Sequence, residues 1–287
     1  LTEGGLSLDW MQRLDRHLGD RLCARLSPWG RRRKPSDPRR ILCVKFWGLG
    51  SLTLLTPAVA ALRRRWPAAE VTFLTLEPNV ELAKRLGLGD QVLGVRLAGG
   101  RLALLARMAR LLDQVRRTHY DVVVDFEFFV RFSALLAWAS GAPRSLGFWS
   151  PEAPRGDIHT DSVPFLDDRH VAYNFLALIE GHRSSTKAAF AAPRIETSER
   201  AVVAALLHSH GWDGRRPLIV LNPHAGRLAL ERRWPPGRFA ALADRLGADD
   251  RTLVAVIGGP GEEAHTRQVV DTARHPVLDL SGQLSMG

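Results

Sequence analysis

The residues best equipped for chemistry stand where short apolar runs end. Asn222-Pro223-His224-Ala225-Gly226 closes a run at 218–222, and Arg232-Arg233-Trp234-Pro235 follows ahead of a helical pattern. Pro235 and Pro236 mark that helix start, and a helix N-terminus offers unpaired N–H groups and the positive end of a dipole to an anion. Two guanidiniums beside it would cradle a diphosphate through charge-assisted bonds. An exposed basic loop with a packed tryptophan is the plainer alternative. The run at 252–257 leads into Gly258-Gly259-Pro260-Gly261-Glu262-Glu263, a tight glycine turn before an acidic first helical turn. Glu262 or Glu263 either caps that helix, as acids do, or accepts hydrogen bonds from ribose hydroxyls.

In the first half, the run at 41–46 ends in Gly48-Leu49-Gly50-Ser51, with Thr56-Pro57 beyond. Glycines at a strand end let backbone N–H groups approach a ligand at the carboxyl edge, where open α/β sheets bind substrates. Thr56 and Pro57 suit the N-cap and first position of the next helix. A dinucleotide fingerprint, and with it an NAD-type oxidoreductase, is the rival: Gly48-x-Gly50 follows a strand and Glu77 closes the next. Against it, Thr53 occupies the third glycine position, and Pro57 would fall inside the helix such a loop opens. Asp125 and Glu127, at the end of a fourth strand, are candidates for a general base or for strand-end hydrogen bonding. Lys45, Arg63, Arg64 and Arg131 lie on or near loops and helices of the first domain and would draw an anionic acceptor.

Positioning these groups requires parallel strands with crossover helices, and the alternation of apolar runs with helical stretches supplies them. Strands are expected near 41–46, 71–75, 91–95, 121–126 and 145–148, with helices near 57–66, 79–87, 101–118 and 130–140. A polar, proline-rich stretch from Ser150 to Pro164 breaks the alternation, and helical patterns follow near 168–182 and 196–211. Gly211 to Pro217 reads as a hinge. A second α/β run gives strands at 218–222, 252–257 and 277–280 and helices at 236–246 and 262–273. The expected division is therefore a basic extension and linker at 1–40, a first domain at 41–211, and a second at 212–287.

Composition narrows the partners. The 287 residues carry 40 basic and 30 acidic side chains, a net charge of +10, and only four of the basic residues are lysines. Arginine matches phosphate bidentately, which favours a nucleotide, a nucleic acid or a phosphorylated lipid, although a genome rich in G and C would by itself favour arginine codons. The arginines are scattered without a recognisable nucleic-acid module, so nucleic acid is not an expected partner. Cys23 and Cys43 are isolated, and neither a metal site nor a disulfide framework is expected. No apolar run reaches the roughly 18–20 residues that span a bilayer. Residues 1–29 are roughly amphipathic, and Arg31-Arg32-Arg33-Lys34 follows; these suit a helix packed on the domain or peripheral contact with an anionic membrane.

In order and spacing, GLGSLTLLTP, YDVVVDFEFFVRFSALL, GAPRSLGF, LIVLNPHAG, RRWPPGRFAALA, VIGGPGEE and LDLSGQLS resemble the heptosyltransferase family, glycosyltransferase family 9, over about residues 41–287. The resemblance implies a GT-B type α/β fold of two facing Rossmann-like domains, the second incomplete at its C-terminus. It implies transfer of a sugar, heptose first, with inversion, from an ADP-linked donor to a lipopolysaccharide-core or related glycolipid, on the cytoplasmic side of the inner membrane, without a cofactor or metal. The second domain would bind the donor through Asn222, His224, Gly226, Arg232, Arg233, Gly258, Gly259 and Glu262 or Glu263. The first would bind the acceptor through Lys45, Gly48, Gly50, Arg63, Arg64 and Arg131. Two departures stand out. Where the family's first loop ends Gly-Asp, the aspartate being its proposed base, this sequence has Gly50-Ser51. A serine is a poor base without a helper, so Asp125 or Glu127 would have to take over, or the reaction is slow, or a non-catalytic glycan- or nucleotide-binding relative results. The family's Asp-Ser-Gly-Pro-x-His loop is also absent from the residues up to Gly287; donor binding is expected to be weakened or absent without it, and restored if further residues supply it.

Overall fold

The structure, a computed structural model, describes residues 8–26, 37–151, 153, 155, 157–182, 187–225, 230–249 and 251–284. The basic cluster at 31–34 and Gly226 lie outside them. The chain forms two compact units, Leu1–Arg194 and Ile195–Gly287.

The first unit is built on six parallel strands: β1 (Arg40–Val44), β2 (Glu70–Leu76), β3 (Gln91–Val95), β4 (Val122–Asp125), β5 (Arg144–Trp149) and β6 (Asp161–Pro164). Their order is β3-β2-β1-β4-β5-β6. Apolar residues on both faces of the central strands explain the parallel, doubly covered sheet. Ile41, Cys43, Val71, Phe73, Val122 and Val124 face one core, with α2 (Leu49–Arg65), α3 (Val80–Arg85) and α6 (Val171–Glu180). Leu42, Val44, Leu74 and Val123 face the other, with α4 (Arg101–Thr118) and α5 (Arg131–Ala139). The strand order reverses between β1 and β4, and at such a switch point the loops leaving neighbouring strands diverge and open a crevice. The Lys45–Gly48 and Phe126–Phe129 segments leave at that point.

Two details depart from the sequence reading. Helix α2 begins at Leu49, directly after the glycine loop, and carries Pro57 inside it. Proline has no N–H for the carbonyl four residues back. Here the Thr56 hydroxyl donates to that carbonyl, Thr53 O, at 2.8 Å, so the gap is filled locally. Thr56 and Pro57 therefore do not start the helix, and Pro57 loses its force as an argument against a fingerprint loop. The second departure is β6, in a stretch expected to be irregular; it pairs with β5 from Leu146↔Asp161 to Trp149↔Pro164.

Helix α1 (Leu8–Leu26) packs on α5. Cys23 is buried against Ala134 and Ile158, and its thiol pKa is pushed up to about 11, chiefly by burial. No side chain of α5's own N-terminal residues caps that helix. The cap comes instead from Asp15, whose carboxylate accepts the N–H groups of Arg131 at 3.0 Å and Phe132 at 2.7 Å. Asp20 accepts from Arg131 Nε at 2.7 Å. Gly19 allows the close approach, since a Cβ there would stand 2.5 Å from Arg131 Cβ. Asp15→Ala is expected to lower stability by about 1 kcal/mol, the usual worth of a cap, while Asp15→Asn keeps most of it. Equal denaturation midpoints for all three proteins would remove Asp15 from this role.

The second unit has three parallel strands, β7 (Leu218–Leu221), β8 (Leu253–Val256) and β9 (Val277–Asp279), in that order. Helices α8 (Pro236–Gly247) and α9 (Glu263–Thr272) meet one face through Ala240, Val256 and Val269. Helix α7 (Thr197–Ser209) meets the other, where Leu207 packs with Ala255 and Leu280. That contact places α7 in the second unit, whereas the sequence reading gave it to the first. Nor is 211–217 a hinge between units. It is a turn within the second, in which Asp213 accepts the N–H groups of Arg215 and Arg216 and Trp212 Nε1 donates to Arg216 O at 2.9 Å.

Candidate functional site

At the carboxyl edge of the first sheet, Glu127 joins the ends of β1 and β4. Its carboxylate meets Lys45 Nζ at 2.9 Å and accepts the N–H groups of Phe46 at 2.7 Å and Trp47 at 2.8 Å. Lys45 and Glu127 are both buried, and Lys45 Nζ also lies 5.1 Å from the Phe128 ring. Asp125 is fully buried. It accepts from Ser133 Oγ at 2.9 Å, Arg155 Nη1 at 3.0 Å and the Glu127 N–H at 3.0 Å, with His159 Nε2 3.5 Å away. Burial alone would raise the Asp125 pKa; the Arg155 charge, His159 and the Ser133 bond outweigh it and hold the carboxyl below its ordinary value. The sequence reading missed Ser133, Arg155 and His159, because the latter two come from the irregular-looking stretch before β6.

Gly48 has φ +85°, a conformation that glycine adopts without strain. It sets α2 off so that Gly48, Leu49 and Gly50 are exposed and Ser51 half-buried. A Cβ at Gly48 would stand 2.7 Å from Ser51 Oγ, whereas one at Gly50 would meet nothing within 4 Å. The first turn of α2 carries no acid, so no carboxylate on the helix neutralises its positive end.

The arginines expected to draw the acceptor lie away from this edge. Arg63 and Arg64 occupy the last turn of α2, about 20 Å from Ser51 at 1.5 Å per residue. They pair there with Asp90 at 3.0 Å and Glu180 at 3.1 Å. Arg131 is buried, held by Asp20 and by the Phe129 carbonyl at 2.9 Å. Aromatic rings flank the edge instead: Phe128 stacks on Phe165 at 4.3 Å and meets Phe129 at 4.5 Å, and Phe129 is 49% exposed.

In the second unit, the neighbouring carboxyl ends of β7 and β8 bring their loops together. Asn222 Oδ1 accepts the His224 N–H at 3.1 Å and turns the chain so that the imidazole points inward. His224 Nε2 lies 2.9 Å from Thr266 Oγ1, its Nδ1 3.7 Å from Glu262 Oε1, and the His265 ring 5.3 Å away. Burial first, then the charges of His265 and Arg233, lower the His224 pKa against the opposing pull of Glu262. The ring lies so close to the backbone that a Cβ at Gly258 would stand 2.7 Å from Nε2. Glu262 Oε2 accepts the Gly259 N–H at 2.9 Å and closes the turn. Glu263 faces away from this group, accepting the Gly261 N–H at 3.0 Å. Arg232 is exposed, and Arg233 follows it into α8, which begins at Pro236 as expected. Thus His224, Gly258, Gly259, Glu262 and Arg233 form one group, joined by Thr266 and His265, which the sequence reading did not single out. Among the described residues no cluster of His, Cys, Asp and Glu suits a metal ion, and no helix is long and apolar enough to cross a membrane.

A family model described as glycosyltransferase family 9 (heptosyltransferase) matches residues 108–287. Among solved structures, the glycosyl transferase family 9 protein from Veillonella parvula DSM 2008 is 22% identical with a TM-score of 0.72, covering 88% of this chain and 72% of that one. The ADP-heptose lps heptosyltransferase II of E. coli is 16% identical with a TM-score of 0.66, covering 86% and 73%. The E. coli heptosyltransferase WaaC with ADP-2-deoxy-2-fluoro heptose is 16% identical with a TM-score of 0.59, covering 83% and 75%. No curated protein matches the sequence significantly.

Proposed function

The chain belongs to glycosyltransferase family 9, and from that premise we propose that it moves a sugar, heptose first, from an ADP-linked donor to a lipopolysaccharide-core or related glycolipid, with inversion. The observation that carries the donor half is the group at the ends of β7 and β8. Gly258 lets the His224 ring close on the turn that Glu262 Oε2 ties to the Gly259 N–H, Glu262 Oε1 is left to accept from ribose hydroxyls, and Arg232, Arg233 and the start of α8 offer positive charge to a diphosphate. An ADP-heptose analogue bound to an E. coli relative supports this choice of donor.

The acceptor hydroxyl attacks the anomeric carbon and passes its proton to water, while the bond from that carbon to the diphosphate breaks and the arginines stabilise the charge left on the diphosphate. Glu127 and Asp125 are poor candidates for the proton. Both are buried, and each is committed to a cation and to at least one backbone N–H. Ser51, half-buried at the unneutralised start of α2, is the position open to the acceptor. Ser51→Asp adds a carboxylate at the positive end of a helix. It is expected to raise the rate of transfer from ADP-heptose by about ten-fold or more, the lower part of what a positioned base contributes. Transfer that is unaltered by this change, but abolished by Glu127→Gln in a protein that still folds, would move the base to β4. Failure of the unaltered chain to bind ADP in calorimetry would sink the donor assignment itself.

A further inference from the structure

Helix α4 is apolar on two faces. Its inner face, Met108, Leu111, Leu112 and Val115, packs into the core of the first unit. Its outer face carries Leu102, Leu105, Ala106 and Ala109, spaced i, i+3, i+4, i+7, and all four are exposed. Leu102 is 83% exposed and Leu105 65%, the largest exposures of any leucines among the described residues. Burial on folding accounts for the inner stripe and leaves the outer one unexplained.

The stripe is held ready for a partner. Arg107 donates to the carbonyls of Arg96 and Ala98, pinning the β3–α4 connection against the helix. The first turns of α4, which follow β3, therefore stand fixed at the carboxyl edge, the edge that also carries Ser51. Further along, the exposed surface turns basic: Arg110, Arg116 and Arg117 stand against one acid, Asp113, which pairs with Arg117 at 2.9 Å. Arg16, Arg21 and Arg25 are exposed on α1, which covers the neighbouring α5.

We propose that the outer face of α4 docks on an anionic lipid surface, its leucines entering the interface and its arginines meeting the headgroups. Leucines on one stretch of a helix with arginines beside them are the pattern of an interfacial helix, and the chain's net charge of +10 suits a negative surface. A protein partner is a poorer fit, since interface cores are enriched in aromatic residues and this stripe has none. The proposal rests on the glycolipid reading above in one respect: it lays the acceptor's anchoring membrane beside the sheet edge at which its sugar would react.

The test is sedimentation of the full chain with phosphatidylcholine vesicles, with and without phosphatidylglycerol. The unaltered protein is expected to partition onto the anionic vesicles and to be released as salt is raised. Leu102→Ser with Leu105→Ser, at positions where folding should be unaffected, is expected to lower the partition coefficient about ten-fold or more. Arg110→Gln with Arg116→Gln should flatten the salt dependence. The proposal is overturned if the leucine variant binds like the unaltered chain. It is equally overturned if only neutralising Arg31, Arg32, Arg33 and Lys34 abolishes binding, or if the leucine variant converts a dimer to a monomer in analytical ultracentrifugation. ADP calorimetry reads the donor assignment separately, and the leucine variant is expected to leave it unchanged.

Discussion

Asp125→Ala is expected to cost the first unit about 3–5 kcal/mol of stability, because it leaves the buried Arg155 guanidinium without its counter-charge. Among the described residues Arg155 Nε and Nη2 have no hydrogen-bond partner, so none of these stands ready to replace the lost carboxylate. Adding Arg155→Met should return much of the loss, since an apolar replacement of a buried ion pair is often neutral or better. The dependence on acid has a definite sign. The Asp125 pKa is depressed in the folded state, so its stabilisation is present above the unfolded value of about 3.9 and is lost as pH falls through the folded value. Denaturant unfolding of the three proteins at neutral pH and in acid would decide it. A loss under 1 kcal/mol for Asp125→Ala would mean that the pair contributes little.

Arg232→Ala combined with Arg233→Ala is expected to weaken ADP binding by about two orders of magnitude. Charge-assisted hydrogen bonds are worth about 1.5–3 kcal/mol each, and removing two cations beside a diphosphate removes at least two such bonds. Arg233, whose charge already acts on His224 and His265, should account for the larger share. Arg232, exposed near the end of a short turn, should account for less. Calorimetry on the single and double variants measures both. An affinity that survives the double substitution would leave Glu262 and the glycine turn as the whole of the donor site.

What could be read in advance was whatever the chain writes locally. Strands β1 to β5 announced themselves as apolar runs, and their ends fell within about two residues of expectation. Strand β6 did not, because Asp161-Ser162-Val163-Pro164 is a part-exposed edge strand closed by a proline, with a single large apolar residue. The group around His224 was half legible. Consecutive parallel strands must end side by side, which joins Asn222–His224 to Gly258–Glu262, but Thr266 enters only through a helical turn beyond Glu262. The surroundings of Asp125 were not legible, since Arg155 approaches from 30 residues away with no local pattern. Arg63 and Arg64 were misplaced despite an available signal. A helix leaving the carboxyl end of a parallel strand must finish at the amino end of the sheet, so its last turn is remote from the loop that opened it.

The cap that Asp15 places on α5 also bears on the order in which the protein takes shape. The two partners are separated by 116 positions in the chain, so α1 leaves the ribosome ahead of β1 to β4 and must wait for them before its docking surface exists. Chain entropy penalises the delay only mildly. Because loop closure grows with the logarithm of length, bringing these ends together costs about 1 kcal/mol more than closing a loop a third as long. The consequence is kinetic: contacts this distant in sequence form late, and until they do Cys23 and the start of α5 stand uncovered. Growth of the nascent chain past Arg131 is therefore what first allows α1 to find its place.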